Sequence, residues 1–327
     1  MELLKQLTMC IAPSGREDSV RSIIEKELEG VCDEIYTDAL GNLICHKKGS
    51  GKKLMLTAHI DEIGFMVTFI DDKGFLRFNT VGGQQKLNCI NSKVEFEHGV
   101  CGTISYENKE DPASVGFDKM YIDIGASSKE EAESKVSIGD MATFAPNMEI
   151  SFDKVMSKAL DDRAGCYVLI KALKETKESE NDLYVVFTAQ EEVGLRGAKV
   201  AANRISPHMA IAFDVSSAGD TPFSKELNLK LGKGPAIKMK DASFIIHPSA
   251  RKFMVDCANS IGIEYQLEAA ASGGTDAGAI HLSGSGAPVG TISIPTRYIH
   301  SQNEVVDIKD LHGAITLAKA LMKKTLI

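Results

Sequence analysis

The 327-residue sequence contains no tryptophan, and aromatic residues make up only 6% of it. It therefore offers little surface on which sugar rings could stack, which disfavours a carbohydrate-active protein. The net charge is −8 and is spread along the chain, without the basic stripe that nucleic-acid binding requires. No apolar run approaches the roughly 20 residues of a membrane span. Nucleic acid and membrane are thus not expected as partners.

The seven cysteines are an odd number and include no CxxC pair. This spacing disfavours both a disulfide framework and a thiolate zinc site. Free thiols in a reducing cytoplasm are the simpler interpretation. The N-terminal segment has only a short, charge-interrupted apolar stretch, unlike a secretory signal. We therefore expect a soluble, cytoplasmic protein.

Helical and strand-like patterns alternate at the two ends of the chain, whereas the middle is strand-like alone. Residues 17–29 have apolar side chains near helical spacing after an acidic first turn. Residues 64–150 contain short β-rich runs separated by turn residues. From residue 158 onward helices and strands alternate, which favours an α/β fold. The sequence predicts a discontinuous domain of residues 1–63 and 153–327, interrupted by a β-barrel-like domain of residues 64–152.

Four apolar, strand-like runs end in or beside residues that bind metals, and a helix-like segment begins at another. The residues concerned are His59, Asp161, Glu191, Glu192, Asp214 and His300. Ligands in open α/β sheets bind beyond the carboxyl ends of the strands, so these side chains could converge at one rim. Imidazole with carboxylate suits zinc, cobalt or manganese better than calcium. The pattern indicates a dinuclear metal site.

Taken singly, each of these residues also has an ordinary structural explanation. His59 could be a satisfied histidine at a strand end, and Asp161 could cap a helix. Glu191 and Glu192 could be a solvated pair, although they directly follow a fully apolar run. Asp61 shares a strand face with His59 and could accept the second ring N–H of a metal-bound imidazole. The remaining histidines are predicted to be structural or exposed.

Six motifs in order resemble those of the aminopeptidases of metallopeptidase family forty-two, which include tetrahedral, glutamyl and deblocking aminopeptidases. They are AHIDEIG, KALDDRAG, TAQEEVGLRGA, AFDV, SGGTDAG and IPTRYIHS. The resemblance runs from the first predicted helix to the last. It implies the α/β/α sandwich of a dinuclear-metal exopeptidase with an inserted small β-barrel-like domain.

Carried over by position, the resemblance implies that His59, Asp161 and Asp214 hold one metal ion. Asp161 would bridge to a second ion completed by Glu192 and His300. Two divalent ions per chain, zinc or cobalt, are implied. In relatives the peptide bond between the two aspartates of this motif is often cis, and the corresponding bond in this sequence joins Asp161 to Asp162.

The resemblance gives Glu191 the role of general base and makes Asp61 the partner of His59. The implied reaction removes N-terminal residues from peptides by attack of a metal-activated water. It also implies self-assembly into a homo-oligomer, a tetrahedral dodecamer in the family.

The glycines of SGGTDAG allow close backbone approach, so Gly273, Gly274 and Thr275 are candidates for the wall of the substrate site. An ordinary loop before a helix explains the segment equally well.

Other hydrolases fit less well. SGSGAP is not a GxSxG nucleophile elbow, because Ser283 stands at the first glycine position. A related dinuclear carboxypeptidase or deacylase is the main alternative, since it differs only in the substrate terminus that it holds. A glucan hydrolase with paired carboxylates is a weaker one, given the few aromatic residues. The sequence leaves open the preferred N-terminal residue, the native metal, the oligomer size and the physiological peptides.

Overall fold

The computed structural model describes residues 1–107, 111, 114–222, 224 and 228–326. This part of the chain contains nine α-helices and seventeen β-strands. The strands form one large mixed sheet, which has helices on both faces, and one closed barrel. The predicted α/β fold with a small β-barrel is confirmed. Over the same residues, no helix combines the length and apolar character needed to cross a membrane.

The elements are named in chain order. The helices are α1 (Glu2–Met9), α2 (Asp18–Leu28), α3 (Lys86–Cys89), α4 (Lys129–Glu133), α5 (Leu160–Glu175), α6 (Arg196–Ile205), α7 (Pro248–Ser260), α8 (Asp276–Ile280) and α9 (Ile308–Lys323). The strands up to the end of the barrel are β1 (Glu34–Thr37), β2 (Leu43–Lys47), β3 (Lys53–His59), β4 (Gly64–Ile70), β5 (Leu76–Val81), β6 (Lys93–Phe96), β7 (Cys101–Tyr106), β8 (Met120–Asp123) and β9 (Met141–Phe144). The later strands are β10 (Met148–Ser151), β11 (Lys154–Ser157), β12 (Asp182–Thr188), β13 (Met209–Ser217), β14 (Ala236–Lys240), β15 (Gln266–Ala269), β16 (Val289–Arg297) and β17 (Glu304–Asp307).

The centre of the large sheet consists of four parallel strands in the order β12, β3, β13, β16. These strands are buried along nearly their whole length, because helices cover both faces, and this explains their continuous apolar sequences. In the parallel register Thr188 pairs with His59, and Asp214 pairs with Ser293. The carboxyl ends of the strands therefore meet at one rim of the sheet.

Two apolar layers sandwich this sheet. The larger one packs α1, α2, α5, α7 and α9 against one face, and the smaller one packs α6 and α8 against the other. Helix α5 is the central element of the larger layer and is buried over most of its length, including the charged residue Arg163. This burial fixes the start of α5 beside the carboxyl ends of β3 and β13.

The barrel is closed by six antiparallel strands in the order β4, β5, β8, β7, β6, β9. It has its own apolar core, in which the ring of Phe65 packs edge-on against Phe78 and Phe144. The division of the chain into residues 1–63 with 153–327 and residues 64–152 stays a prediction. The strand pairing favours a second boundary just after Phe144, because β10 pairs with β11 in the large sheet.

Two local features differ from the sequence patterns. Helix α1 was not predicted; its apolar residues Leu4 and Leu7 are buried in the larger layer, so packing stabilises this short helix. The apolar run ending at His300 was expected to be strand throughout, but β16 stops at Arg297. Tyr298 and His300 adopt left-handed φ angles of 60° and 61°, which end the strand.

Candidate metal centre

Six buried or half-buried acidic and histidine side chains meet at the rim formed by the ends of β3, β12 and β13. Three groups of them each place one ligand atom per residue within 4.8 Å of the others. The groups are His59 with Asp161 and Asp214, His59 with Glu191 and Glu192, and Asp161 with Glu192 and His300. The structure thus brings together all the residues predicted as ligands, as well as Glu191.

The carboxylate of Asp161 lies between the two imidazoles. Its Oδ1 is 3.0 Å from Nε2 of His59, and its Oδ2 is 3.2 Å from Nε2 of His300. The same nitrogen of His300 lies 3.1 Å from Oε1 of Glu192. The peptide bond from Asp161 to Asp162 is cis. One carboxylate can therefore serve both halves of the cluster.

Asp61 is fully buried and supports the loop after β12. Its Oδ1 accepts a hydrogen bond from the backbone N–H of Glu191 at 2.9 Å, and its Oδ2 accepts one from Glu192 at 3.1 Å. Its Oδ2 also accepts from the hydroxyl of Ser14 at 2.6 Å. Nδ1 of His59 lies nearer to the carbonyl oxygen of Asp61, at 3.1 Å, than to its carboxylate, at 3.5 Å. Asp61 thus contacts His59 and both glutamates.

Burial and crowding shift the acid–base properties of the cluster. Burial raises the pKa of Asp214 to about 8, and the nearby Asp161 adds to this against the opposing effect of His59. Burial likewise raises the pKa of Glu191 well above its usual value. Burial disfavours the charged form of His300, yet Asp161 and Glu192 raise its pKa to about 12. The cluster strongly favours bound positive charge.

The donor set fits divalent metal ions. It combines two imidazoles with neighbouring carboxylates in a buried pocket, which suits zinc, cobalt or manganese. Nε2 of His59 and Nε2 of His300, which face Asp161, can each carry a proton. A metal ion could replace that proton, because metal binding releases protons from its ligands. The residues present therefore match the metal dependence that the sequence predicts.

Glu304, at the start of β17, is a member of the site that sequence reasoning missed. It is 2% exposed, and its two carboxylate oxygens accept hydrogen bonds from the backbone N–H groups of Asp161, at 3.0 Å, and His300, at 2.8 Å. Burial, with repulsion from Asp161, raises the pKa of Glu304 to about 8. The available signal was an acidic residue directly before the two valines of EVVD.

The barrel also contacts the site, through the loop after β5. A Cβ atom on Gly82 would lie 3.2 Å from Cβ of Glu192 and 2.8 Å from Cγ2 of Ile63. The side-chain amide of Asn88 donates a hydrogen bond to the carbonyl oxygen of His300 at 3.3 Å. This part of the barrel therefore packs against the residues that surround one of the candidate metal positions.

The residues predicted for the substrate wall lie outside the groups of ligand atoms. Gly273 and Gly274 are exposed, and Thr275 is buried with its hydroxyl 3.1 Å from that of Thr291. The next residue, Asp276, is buried and accepts a hydrogen bond from the hydroxyl of Thr188 at 2.6 Å. A substrate-binding role for Gly273, Gly274 and Thr275 stays a prediction.

Comparison with known proteins gives consistent matches. A family profile described as M42 glutamyl aminopeptidase matches residues 41–317. The lysyl aminopeptidase of Pyrococcus furiosus is 37% identical over 337 residues, covering 99% of this chain and 96% of that protein.

Solved structures of aminopeptidases are also similar to this chain. Aminopeptidase APDkam598 from the archaeon Desulfurococcus kamchatkensis is 41% identical with a TM-score of 0.95, covering 98% of this chain and 94% of the other. The TET1 peptidase of Pyrococcus horikoshii, described as able to assemble into a tetrahedron or a large octahedral shell, is 34% identical with a TM-score of 0.90, covering 99% of both chains.

Proposed function

The chain belongs to the M42 family of aminopeptidases. On this basis we propose that it removes N-terminal residues from peptides, and that it does so by means of two divalent metal ions bound to the protein at the rim of its large sheet. The observation that carries the proposal is the position of Asp161. Its two carboxylate oxygens lie 3.0 Å and 3.2 Å from imidazole nitrogens of His59 and His300, an arrangement suited to a bridging ligand.

We propose the same metal ligands that the family resemblance implies. His59, Asp161 and Asp214 would hold one ion, and Asp161, Glu192 and His300 would hold the other. When bound, the ions would lower the pKa of a water molecule and polarise the carbonyl of the bond to be cleaved. Zinc or cobalt is the proposed metal, because imidazole and carboxylate ligands suit both.

Glu191 is proposed as the general base. It leaves β12 beside Glu192, and Asp61 fixes the backbone N–H groups of both residues, so their two carboxylates can serve different purposes. Glu191 would accept a proton from the attacking water and later deliver it to the departing amine. A buried carboxylate with a raised pKa suits both steps of this transfer.

Peptides with a free N-terminus are the proposed substrates. Assembly into a homo-oligomer, a tetrahedral dodecamer, is proposed by similarity to the Pyrococcus horikoshii peptidase, for which a tetrahedron and a dodecamer are described. The proposed location is the cytoplasm. All seven cysteines are free in the structure, which agrees with a reducing compartment.

Activity against matched substrates tests the proposal. We expect hydrolysis of a free-amine peptide, and none of its N-acetylated counterpart or of a cellulosic substrate. Elemental analysis should find about two divalent ions per chain, in line with a two-metal site. Cleavage from the C-terminus would favour the carboxypeptidase alternative, and cleavage of the blocked substrate would favour the deacylase. Full activity after chelation and dialysis would refute the metal requirement.

A further inference from the structure

We infer that Glu304 is a positioning residue that sets the geometry of one of the two metal positions before a metal binds. The inference rests on the proposed function, because it concerns the position made by Asp161, Glu192 and His300. Glu304 is not itself in any of the groups of ligand atoms within the described residues. It acts through the backbone.

The two hydrogen bonds of Glu304 reach two ligand-bearing segments that are far apart in the chain. Asp161 is 143 positions from Glu304, whereas His300 is four positions away. One oxygen accepts from Asp161 at 3.0 Å, and the other accepts from His300 at 2.8 Å. A single carboxylate therefore fixes the distance between the backbones of these two ligands.

Asp161 and His300, whose backbone N–H groups donate to Glu304, both have backbone conformations outside regular secondary structure. Asp161 lies inside α5 with φ −78° and ψ 107°, which is not helical. His300 has φ 61° in the loop between β16 and β17. Asp161 is also the second residue of α5, where a backbone N–H has no acceptor within the helix, and His300 lies between two strands, so Glu304 supplies the acceptor for both N–H groups.

Burial leaves the two N–H groups dependent on the two oxygens of Glu304. Glu304 is 2% exposed, so few water molecules could replace a lost acceptor. A glutamine has one oxygen acceptor and one NH2 donor, and the donor would face one of the two N–H groups. We therefore expect Glu304→Gln to release either Asp161 or His300.

Asp310 provides a matched control in the same chain. It is also fully buried, and its two oxygens accept hydrogen bonds from the backbone N–H groups of Gly232 and Gly234, each at 2.7 Å. Asp310→Asn makes the same chemical change to a carboxylate that holds two amides, but in a different loop. The comparison separates loss of stability from loss of metal geometry.

The test is a zinc titration of three metal-free proteins: wild type, Glu304→Gln and Asp310→Asn. Calorimetry measures the zinc affinity of each position, and elemental analysis counts the bound ions. We expect wild type and Asp310→Asn to bind two ions. In Glu304→Gln we expect one position to weaken about 10- to 100-fold, as is typical when a supporting partner of a ligand is lost. Equal affinities at both positions in wild type and Glu304→Gln would overturn the inference. Failure of wild type to bind two ions would instead count against the proposed function.

A second measurement needs no variant and covers the case in which Glu304→Gln does not fold. Hydrogen–deuterium exchange of metal-free wild type should show slow exchange in peptides that contain the amides of Asp161 and His300. Fast exchange of either amide before metal is added would contradict a clamp formed in advance.

Discussion

Asp61 accepts a hydrogen bond from the backbone N–H of Glu191 at 2.9 Å, although the two residues are 130 positions apart in the chain. A side chain next to the end of β3 thus fixes the backbone at the end of β12. The proposed base therefore owes its position to a second carboxylate.

Replacement of Asp61 by asparagine should destabilise the protein and misplace this loop. The amide would present a donor to one of the two backbone N–H groups, leaving it unpaired, at a cost of about 1.5–3 kcal/mol. We expect both kcat/KM and the free energy of unfolding to fall. Urea denaturation measures the free energy of unfolding. Ser14→Ala removes only the hydroxyl that also binds Asp61 and should cost about 1 kcal/mol. Equal losses in the two variants would contradict this role.

Glu191→Gln should remove the proton acceptor while leaving the ligands in place. We expect kcat to fall at least about 100-fold, the scale of general-base catalysis. Metal content measured on the same sample should match that of wild type. Retained activity would exclude Glu191 as the base, whereas a loss of one ion would make it a ligand.

His300→Ala should weaken metal binding at one position, since it removes an imidazole that lies near both Asp161 and Glu192. We expect elemental analysis to find fewer ions per chain than in wild type after dialysis at a low, fixed concentration of free metal. His312→Ala, at an exposed position on α9, is the control and should bind the wild-type amount. An unchanged metal content in His300→Ala would refute a ligand role for His300.

The ion pair between Asp220 and Arg297 should make stability depend on pH in the acid range. The guanidinium donates hydrogen bonds at 2.9 Å and 2.7 Å and lowers the pKa of Asp220 below its usual 3.8. Because the folded pKa is the lower one, the stabilisation is present above pH 3.8 and is lost as pH falls through the folded value.

Asp220→Asn should therefore cost about 0.5–1 kcal/mol at neutral pH, a modest amount because both side chains are partly exposed. Urea denaturation of both proteins at neutral pH and near pH 3 measures the difference. The gap should shrink in acid, and a constant gap would show that Asp220 acts by something other than its charge.

Gly82→Ala should disturb the metal centre through the barrel. A Cβ at this position would meet Cγ2 of Ile63 at 2.8 Å and would crowd Glu192. Gly82 also has a φ of 80°, a backbone conformation that costs a residue with a side chain about 1–2 kcal/mol. Gly99 shares the positive φ, at 85°, but a methyl group added there would have no neighbour within 4 Å, so Gly99→Ala is the control for φ alone. Only Gly82→Ala should lose metal affinity in a zinc titration.

Residues at the ends of buried strands could be located from the sequence. His59 ends β3, whereas Asp214 closes its apolar run but lies three residues before the end of β13 at Ser217; parallel strands still place both at one rim, so their proximity was predictable. Asp161 could be predicted from its position at the start of a helical pattern. In each case the residue lies in a buried strand or at the start of a helix.

The hydrogen bonds that hold the site could not be predicted in this way. Glu304 and Asp61 act on backbone N–H groups of residues more than a hundred positions away, and hydrophobic periodicity contains no information on such polar pairs. The same limit applies to α1, whose short sequence is helical because α5 packs against it. Tertiary contacts decide these features.

Strand β3 lies between two parallel neighbours, β12 and β13, and its last residue is His59. Because side chains alternate between the two faces of a strand, one inserted or deleted residue in Lys53–His59 would turn the histidine to the opposite face. Exchanges among apolar residues of similar size would leave that direction unchanged. Mutational drift in this chain can therefore alter the composition of β3, whereas its length is fixed by the chemistry at its end.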